Sequence, residues 1–322
     1  MFFYIKSLIL VFFLQVAYAS SEKSSQDLPK CSETTRFEDK IECLEKKLDV
    51  KSNYYERYKK ELSASKKNFT IVPHKTNYIL PYTYSSNPNL GVNKNRFLTN
   101  DGEKGNIHQS EAKFQLSFKF PIVRHFMDNQ LSIWFGYTQK SFWQVYNTNI
   151  STPFRDNNYE PEILCFHEPY EQLNFFGMKN VMNTISFNHQ SNGLSGDLSR
   201  CWNRLKASMV FEKDDHSLIF EPWYRIPDKS DEDDNPNIED YMGYFKLTYA
   251  FKVGEEICDL SLWNNLDFSE DNRTSLEFNW SFPISGDVKG IAQYFNGYGE
   301  SLIDYNHRNQ RLGVGILLTD LL

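Results

Sequence analysis

From residue 68 onward the chain alternates between apolar and polar positions. In "KFQLSFKF", Phe114, Leu116, Phe118 and Phe120 fall on one parity, and Lys113, Gln115, Ser117 and Lys119 on the other. In "SLEFNWSF", Leu276, Phe278, Trp280 and Phe282 oppose Glu277, Asn279 and Ser281. In "QRLGVGILL", Leu312, Val314 and Ile316 oppose Arg311, Gly313 and Gly315. A period of two puts each set on one face of a strand. About twelve such segments can be counted, from "NYILPYTYS" to the C-terminus. Their length is near the ~9–11 residues that a tilted strand needs to cross a bilayer. Connections at 87–109, 147–158, 191–200, 227–239 and 299–307 are long and polar, and those near 123–129, 213–216, 253–256 and 284–287 are short. A soluble β-sandwich also alternates, but the strand length and loop asymmetry favour a membrane barrel. The expectation is all-β: a twelve-stranded antiparallel transmembrane β-barrel over 68–322, with both termini at the short-turn end.

Upstream the pattern changes. "MFFYIKSLILVFFLQVAYAS" carries a basic Lys6, an apolar run from Leu8 to Val16 and small residues at Ala17 and Ala19. This reads as a secretory signal over 1–19. No later stretch approaches the ~20 apolar residues of a membrane-spanning helix. Residues 20–67 form a charged extension, helical or disordered and placed in the periplasm. Within it Phe37, Ile41, Leu44, Leu48, Tyr55, Tyr58 and Leu62 recur at spacings of three and four. That is an amphipathic helix, and its short run suits packing on its own domain better than a coiled coil.

Charge and cysteine content narrow the function classes. A net charge of -7 argues against nucleic acid as a partner. The five cysteines form no CxxC pair and no zinc framework, and Cys31 with Cys43 leaves a disulfide open. Aromatic residues make up 16% of the chain, well above a typical soluble protein.

The same parity test isolates candidate chemistry in "ISFNHQSNGLSGDLSRCWNR", residues 185–204. Ile185, Phe187, His189 and Ser191 share one face, and Asn203 falls with Leu205 and Ala207 on the returning strand. His189, Ser191 and Asn203 therefore share the lipid-facing parity, where polar side chains are costly and raise a functional question. A serine needs a base, and the base needs a group that fixes its tautomer. On spacing alone the bland reading stands beside this one, because Ser191, Asn192 and Gly193 are common turn residues. Gln139 also lies on the outward parity, with Leu131, Ile133, Phe135 and Tyr137. It could hydrogen-bond across two barrels, or sit in the outer headgroup zone.

"FNHQSNGLSGDLSRCWNRL" closely resembles the active-site segment of the bacterial outer membrane phospholipase A family. "KFQLSFKFPI", "YTQKSFWQVYN", "STPFRDNNYEPE", "DDNPNIEDYMGY", "GYGESLIDYNH" and "RLGVGILL" resemble family segments in the same order. The likeness runs from about residue 69 to the C-terminus. It implies a calcium-dependent hydrolase of phospholipid acyl esters, active as a homodimer in the outer membrane. Position by position, it implies Ser191 as nucleophile, His189 as base, Asn203 as the residue orienting it, and the Gly193 N–H as an oxyanion donor. It implies Ca2+ held by the Leu194 carbonyl and the Ser199 hydroxyl of one subunit and by Ser151 of the other, with Gln139 at the dimer interface. Asparagine brings no charge to stabilise the imidazolium, so a hard cation that takes oxygen ligands has a physical role. The resemblance also suggests a second calcium site at Asp234. Gly196 departs from the family there, standing where a partnering aspartate is expected. Leu322 departs as well: such barrels usually end in an aromatic, and its parity with Leu312 to Leu318 places it toward lipid. The competing readings are a non-enzymatic pore or adhesin and a barrel that deacylates lipopolysaccharide.

Overall fold

The computed structural model describes residues 53–65, 69–93, 96–126, 131–151, 153–167, 173–229, 231–286 and 288–322. The expected signal sequence over 1–19, most of the 20–67 extension, and Cys31 and Cys43 lie outside them.

Twelve long strands carry the fold. They are β1 (Asn77–Ser85), β2 (Ser110–Phe126), β3 (Leu131–Trp143), β4 (Phe154–His167), β5 (Met178–Ser191) and β6 (Cys201–Lys213). The second half comprises β7 (His216–Ile226), β8 (Phe245–Val253), β9 (Glu256–Asn264), β10 (Thr274–Ser285), β11 (Val288–Gly297) and β12 (Asn309–Thr319). Each pairs antiparallel with its sequence neighbours, and β12 pairs with β1, as in Leu312 with Tyr84. The sheet closes on itself, so no strand edge is left to seek a partner. The long connections expected after odd-numbered strands stand there, but the span between β4 and β5, 168–177, is as long as that between β3 and β4. Two boundaries differ from the sequence reading: β4 already begins at Phe154, and 265–273 is a further long loop.

The barrel is apolar outside and charged inside. Leu116, Ile163, Phe187, Leu260, Leu312, Val314 and Ile316 are exposed on the outer wall. Lys113, Glu111, Arg155, Glu162 and Arg311 are buried in the lumen. Arg155 bridges Glu111 and Asp304, while Arg311 bridges Glu111 and Glu300. Lys113 Nζ donates to Glu300 at 2.9 Å and to Gln293 at 2.6 Å. Pairing of this kind is what makes buried charge tolerable. The outer surface suits hydrocarbon, which cannot solvate such groups.

Helix α1 (Asn53–Ala64) closes the short-turn end. Tyr55 and Tyr58 are buried against Trp134, Leu164, Phe166 and Val210, and the Tyr58 ring stacks on Phe166 at 5.5 Å. The backbone N–H groups of Tyr54 and Tyr55 donate to the Glu212 carboxylate at 2.8 and 3.2 Å. A carboxylate there satisfies first-turn donors and complements the helix dipole. Arg57 donates to the Asp320 and Leu321 carbonyls, tying α1 to the C-terminus. The helical spacing of Tyr55 and Tyr58 thus serves packing within the chain. The expectation for Leu322 needs correction. Strand β12 ends at Thr319, Asp320 accepts from Ser281 and Lys289, and Leu321 packs against the core under α1. Strand parity therefore does not extend to Leu322.

Candidate active site

Strands β5 and β6 meet at the long-loop end of the outer wall. Their register pairs His189 with Asn203 and Ser191 with Cys201. His189 Nδ1 lies 2.9 Å from Asn203 Oδ1. Since an amide oxygen only accepts, the ring nitrogen donates, so in the neutral imidazole it is Nε2 that carries the lone pair. The N–H of Gly193 donates to Ser191 Oγ at 3.1 Å. Among the described residues no direct hydrogen bond joins Ser191 to His189. The structure brings His189 and Asn203 together and sets Ser191 beside them, with its hydroxyl turned to the loop.

Outward placement of these residues follows from their neighbours. Ser186, Asn188, Trp202 and Arg204 are buried in the lumen, while Phe187 is exposed. The inner face is pinned. Trp202 Nε1 donates to Gln190 Oε1 at 2.9 Å, Arg204 donates to Asn188 Oδ1 at 2.7 Å and to Glu160 at 3.2 Å, and its guanidinium stacks 4.0 Å over Trp202. A shared network of this kind holds the outward side chains in register.

The loop 192–200 is organised by Asn192, which is 3% exposed. Its Oδ1 accepts from the Leu194 and Arg200 N–H groups at 3.3 and 3.0 Å, and its Nδ2 donates to the Leu198 carbonyl at 2.9 Å. Gly193 and Gly196 have φ of +67° and +60°, a region that favours glycine. Nothing approaches the would-be Cβ of Gly196, so no aspartate-like group is supplied from that position. From the loop 227–244, Asp234 accepts the Ser199 hydroxyl at 2.5 Å, and Asn235 Oδ1 accepts the Cys201 N–H at 3.0 Å. Arg225 holds this loop through a two-pronged pair with Asp233 at 2.6 and 2.7 Å.

The expected calcium ligands divide between loops. Leu194 and Ser199 lie in the β5–β6 loop, Asp234 beside Ser199, and Ser151 is exposed in the separate loop between β3 and β4. Among the described residues no hydrogen bond engages the Leu194 carbonyl. No group of three or more His, Cys, Asp or Glu among them is arranged to hold a metal. The available donors are hydroxyl, carbonyl and carboxylate oxygens, the chemistry that suits a hard cation. Gln139 lies on the outer row with Tyr137, and its amide donates to Ser141 Oγ at 3.0 Å. In the sequence Asn192 reads only as a turn residue, and Tyr159 and Asn235 do not stand out. Their signal lies in register and loop docking, which a linear pattern does not carry.

Comparison with known proteins places these features in a group. The sequence model of the family described as Phospholipase A1 matches residues 55–318. Phospholipase A1 of Escherichia coli (strain K12) is 37% identical over 256 residues, covering 79% of this chain and 83% of the relative. A putative phospholipase A1 of Neisseria meningitidis is 38% identical over 253 residues, covering 77% and 65%. A crystal structure of the Salmonella typhi outer membrane phospholipase dimer with bound calcium superposes with a TM-score of 0.69 at 34% identity, over 79% of this chain and 94% of that one. An Escherichia coli outer membrane phospholipase A active-site mutant, in which an asparagine is replaced by alanine, superposes with a TM-score of 0.69 at 33% identity, over 80% and 95%.

Proposed function

The chain belongs to the phospholipase A1 family of bacterial outer-membrane β-barrels, and from that premise we propose that it is a calcium-dependent serine hydrolase of glycerophospholipid acyl esters. The observation that carries the reading is the His189–Asn203 hydrogen bond of 2.9 Å on the lipid-facing wall, two residues from Ser191 on the same strand face. An imidazole held in one tautomer at the membrane surface has no evident structural use. The asparagine altered in the Escherichia coli active-site mutant supports an asparagine in this role.

In this mechanism Ser191 Oγ rotates from Gly193 toward His189 Nε2 and attacks the acyl carbonyl carbon of a phospholipid that has diffused along the barrel wall. His189 takes the serine proton and passes it to the leaving glycerol oxygen as the tetrahedral species collapses. That step releases lysophospholipid and leaves an acyl ester on Ser191. Water, deprotonated by His189, then adds to the ester carbonyl, freeing the fatty acid and restoring the serine. The Gly193 N–H, released from Ser191 Oγ, donates to the developing oxyanion, a contact typically worth ~2.7–4 kcal/mol. The imidazolium in each transition state is stabilised by Asn203 alone, which carries no charge.

The Leu194 carbonyl and the Ser199 hydroxyl, with Ser151 from a second copy, would hold calcium; when bound it supplies positive charge near the oxyanion. Such a set is complete only in a homodimer, a reading that an outward Gln139 and the calcium-bound Salmonella typhi dimer support. Asp234 serves as the carboxylate behind Ser199, and a separate second site finds no partner at Gly196. Residues 1–19 act as the export leader, and 20–67 form the periplasmic extension that ends in α1. The pore alternative is disfavoured by the paired side chains of the lumen and by α1 across one end.

The test is fatty-acid release from mixed phospholipid micelles by the detergent-refolded protein, with calcium or chelator, beside Ser191→Ala. Release that requires both calcium and Ser191 is expected. Absence of release from a well-folded dimer would overturn the assignment.

A further inference from the structure

Tyr159 stands on the outer face of β4, between two residues with assigned roles. Its Cα register partner on β5 is Ser191, and on β3 it is Gln139. Adjacent strands lie ~4.8 Å apart, so Gln139, Tyr159 and Ser191 form one continuous row across three strands. Asn158 is buried, and Glu160 reaches into the lumen to Arg204 and Lys75. Tyr159 between them points outward and is half-buried.

What covers its ring is the serine loop. A Cβ built on Gly193 would lie 3.0 Å from Tyr159 Cε2 and 3.5 Å from Cδ2. The ring therefore packs directly on the Gly193 Cα, on the side from which a side chain would project. At φ +67° this glycine turns its N–H back to Ser191 Oγ, 3.1 Å away. Among the described residues the Tyr159 hydroxyl makes no hydrogen bond, so the ring is the part in use. A flexible glycine turn keeps a donor aimed only if something over-determines its backbone. Asn192 ties the loop from the lumen side, and the Tyr159 ring closes it from the lipid side.

We propose that Tyr159 is a positioning residue whose ring holds the Gly193 peptide in line with Ser191, so that the oxyanion donor is set before substrate arrives. The inference rests on the hydrolase reading of this site. Because the donor acts on charge that develops in the transition state, loosening it lowers kcat and leaves KM nearly unchanged. A residue that merely lined the acyl chain's path would change KM, and one that only supported the barrel would change heat-modifiable mobility.

The experiment compares wild type, Tyr159→Phe, Tyr159→Leu and Tyr159→Ala in micelle assays at saturating calcium, with Ser191→Ala as the blank. The expected result is Tyr159→Phe within about twofold of wild type, since the ring remains. Tyr159→Ala is expected to lose roughly 10- to 50-fold in kcat, within the range for an oxyanion donor partly lost, with KM shifted less than threefold. Unchanged kcat in Tyr159→Ala, a loss confined to KM, or an equal loss in Tyr159→Phe overturns the proposal. Should Tyr159→Ala not refold, Tyr159→Leu against Tyr159→Phe decides: Leu must lose kcat and Phe must keep it. A wild-type barrel that releases nothing fells the hydrolase reading and this inference together; an active wild type with an unaffected Tyr159→Ala fells this one alone.

Discussion

Replacing Asn203 by alanine removes one hydrogen bond from the proposed catalytic base, and the structure sets the size of the effect. The His189–Asn203 contact is 2.9 Å. A neutral pair typically contributes ~0.5–1.5 kcal/mol, and a pair with one charged member ~1.5–3 kcal/mol. A base that takes the serine proton becomes cationic in the transition state, so the bond strengthens as the reaction proceeds, and kcat feels only the difference between the two values. That difference is ~1–2.5 kcal/mol, which at ~1.36 kcal/mol per decade is a loss of about 5- to 70-fold. The expected kcat of Asn203→Ala is therefore roughly 5- to 70-fold below wild type, well above that of Ser191→Ala. The barrel fold should be unaffected, because Asn203 is half-buried on the outer wall and its strand pairing is made by backbone. The assay is steady-state fatty-acid release from micelles at saturating calcium, with heat-modifiable mobility as the check on folding. Activity within twofold of wild type would refute the orienting role of Asn203. Activity as low as that of Ser191→Ala would refute the premise that one hydrogen bond separates the two.

Glu212→Gln should loosen α1, because the carboxylate accepts from Tyr54 and Tyr55 and from the Ser217 hydroxyl. Faster proteolysis around Arg57 and Lys60, with the barrel still resistant, is the expected pattern. Gly193→Ala places a Cβ 3.0 Å from Tyr159 at φ +67°. Left-handed backbone costs a non-glycine residue ~1–2 kcal/mol, so kcat should fall at least tenfold in the micelle assay. Glu300 gives a pH test. Burial pushes its carboxyl up, but Arg311 and Lys113 beside it hold it well below the usual range. A folded value depressed below the unfolded ~4.3 means that this stabilisation is complete above that pH and is lost as pH falls toward the folded value. Glu300→Gln should be less stable at neutral pH, by on the order of 3 kcal/mol for a broken buried pair. Its urea midpoint should also fall less steeply below about pH 4 than that of wild type.

Several features of the barrel were legible in the residues themselves. Period-two alternation, as in Leu312, Val314 and Ile316 against Arg311, assigns each side chain to a wall face whatever the rest of the chain does. Loop asymmetry then orients the barrel and puts the 192–200 loop at the long-loop end. Parity also placed His189, Ser191 and Asn203 on the lipid side, and the likeness to a known family supplied their roles.

Other features depended on residues far apart in sequence. Phe154 reads as loop in the polar run "STPFRDNNYEPE", because Arg155 and Asp156 face a polar lumen in which charge is an interior property. Leu322 follows the parity of β12 on paper, yet the strand stops at Thr319, where Asp320 finds Ser281 and Lys289. Tyr159 is one more aromatic in an alternating strand until register sets it beside Ser191. The helical repeat containing Tyr55 and Tyr58 could not name its partner, since Phe166 and Glu212 lie on two different strands of the wall. Alternation is a local consequence of backbone geometry and can be read along the chain. Which strand lies beside which, and what fills the lumen, is decided only when the sheet closes and every buried charge and backbone group must find its partner.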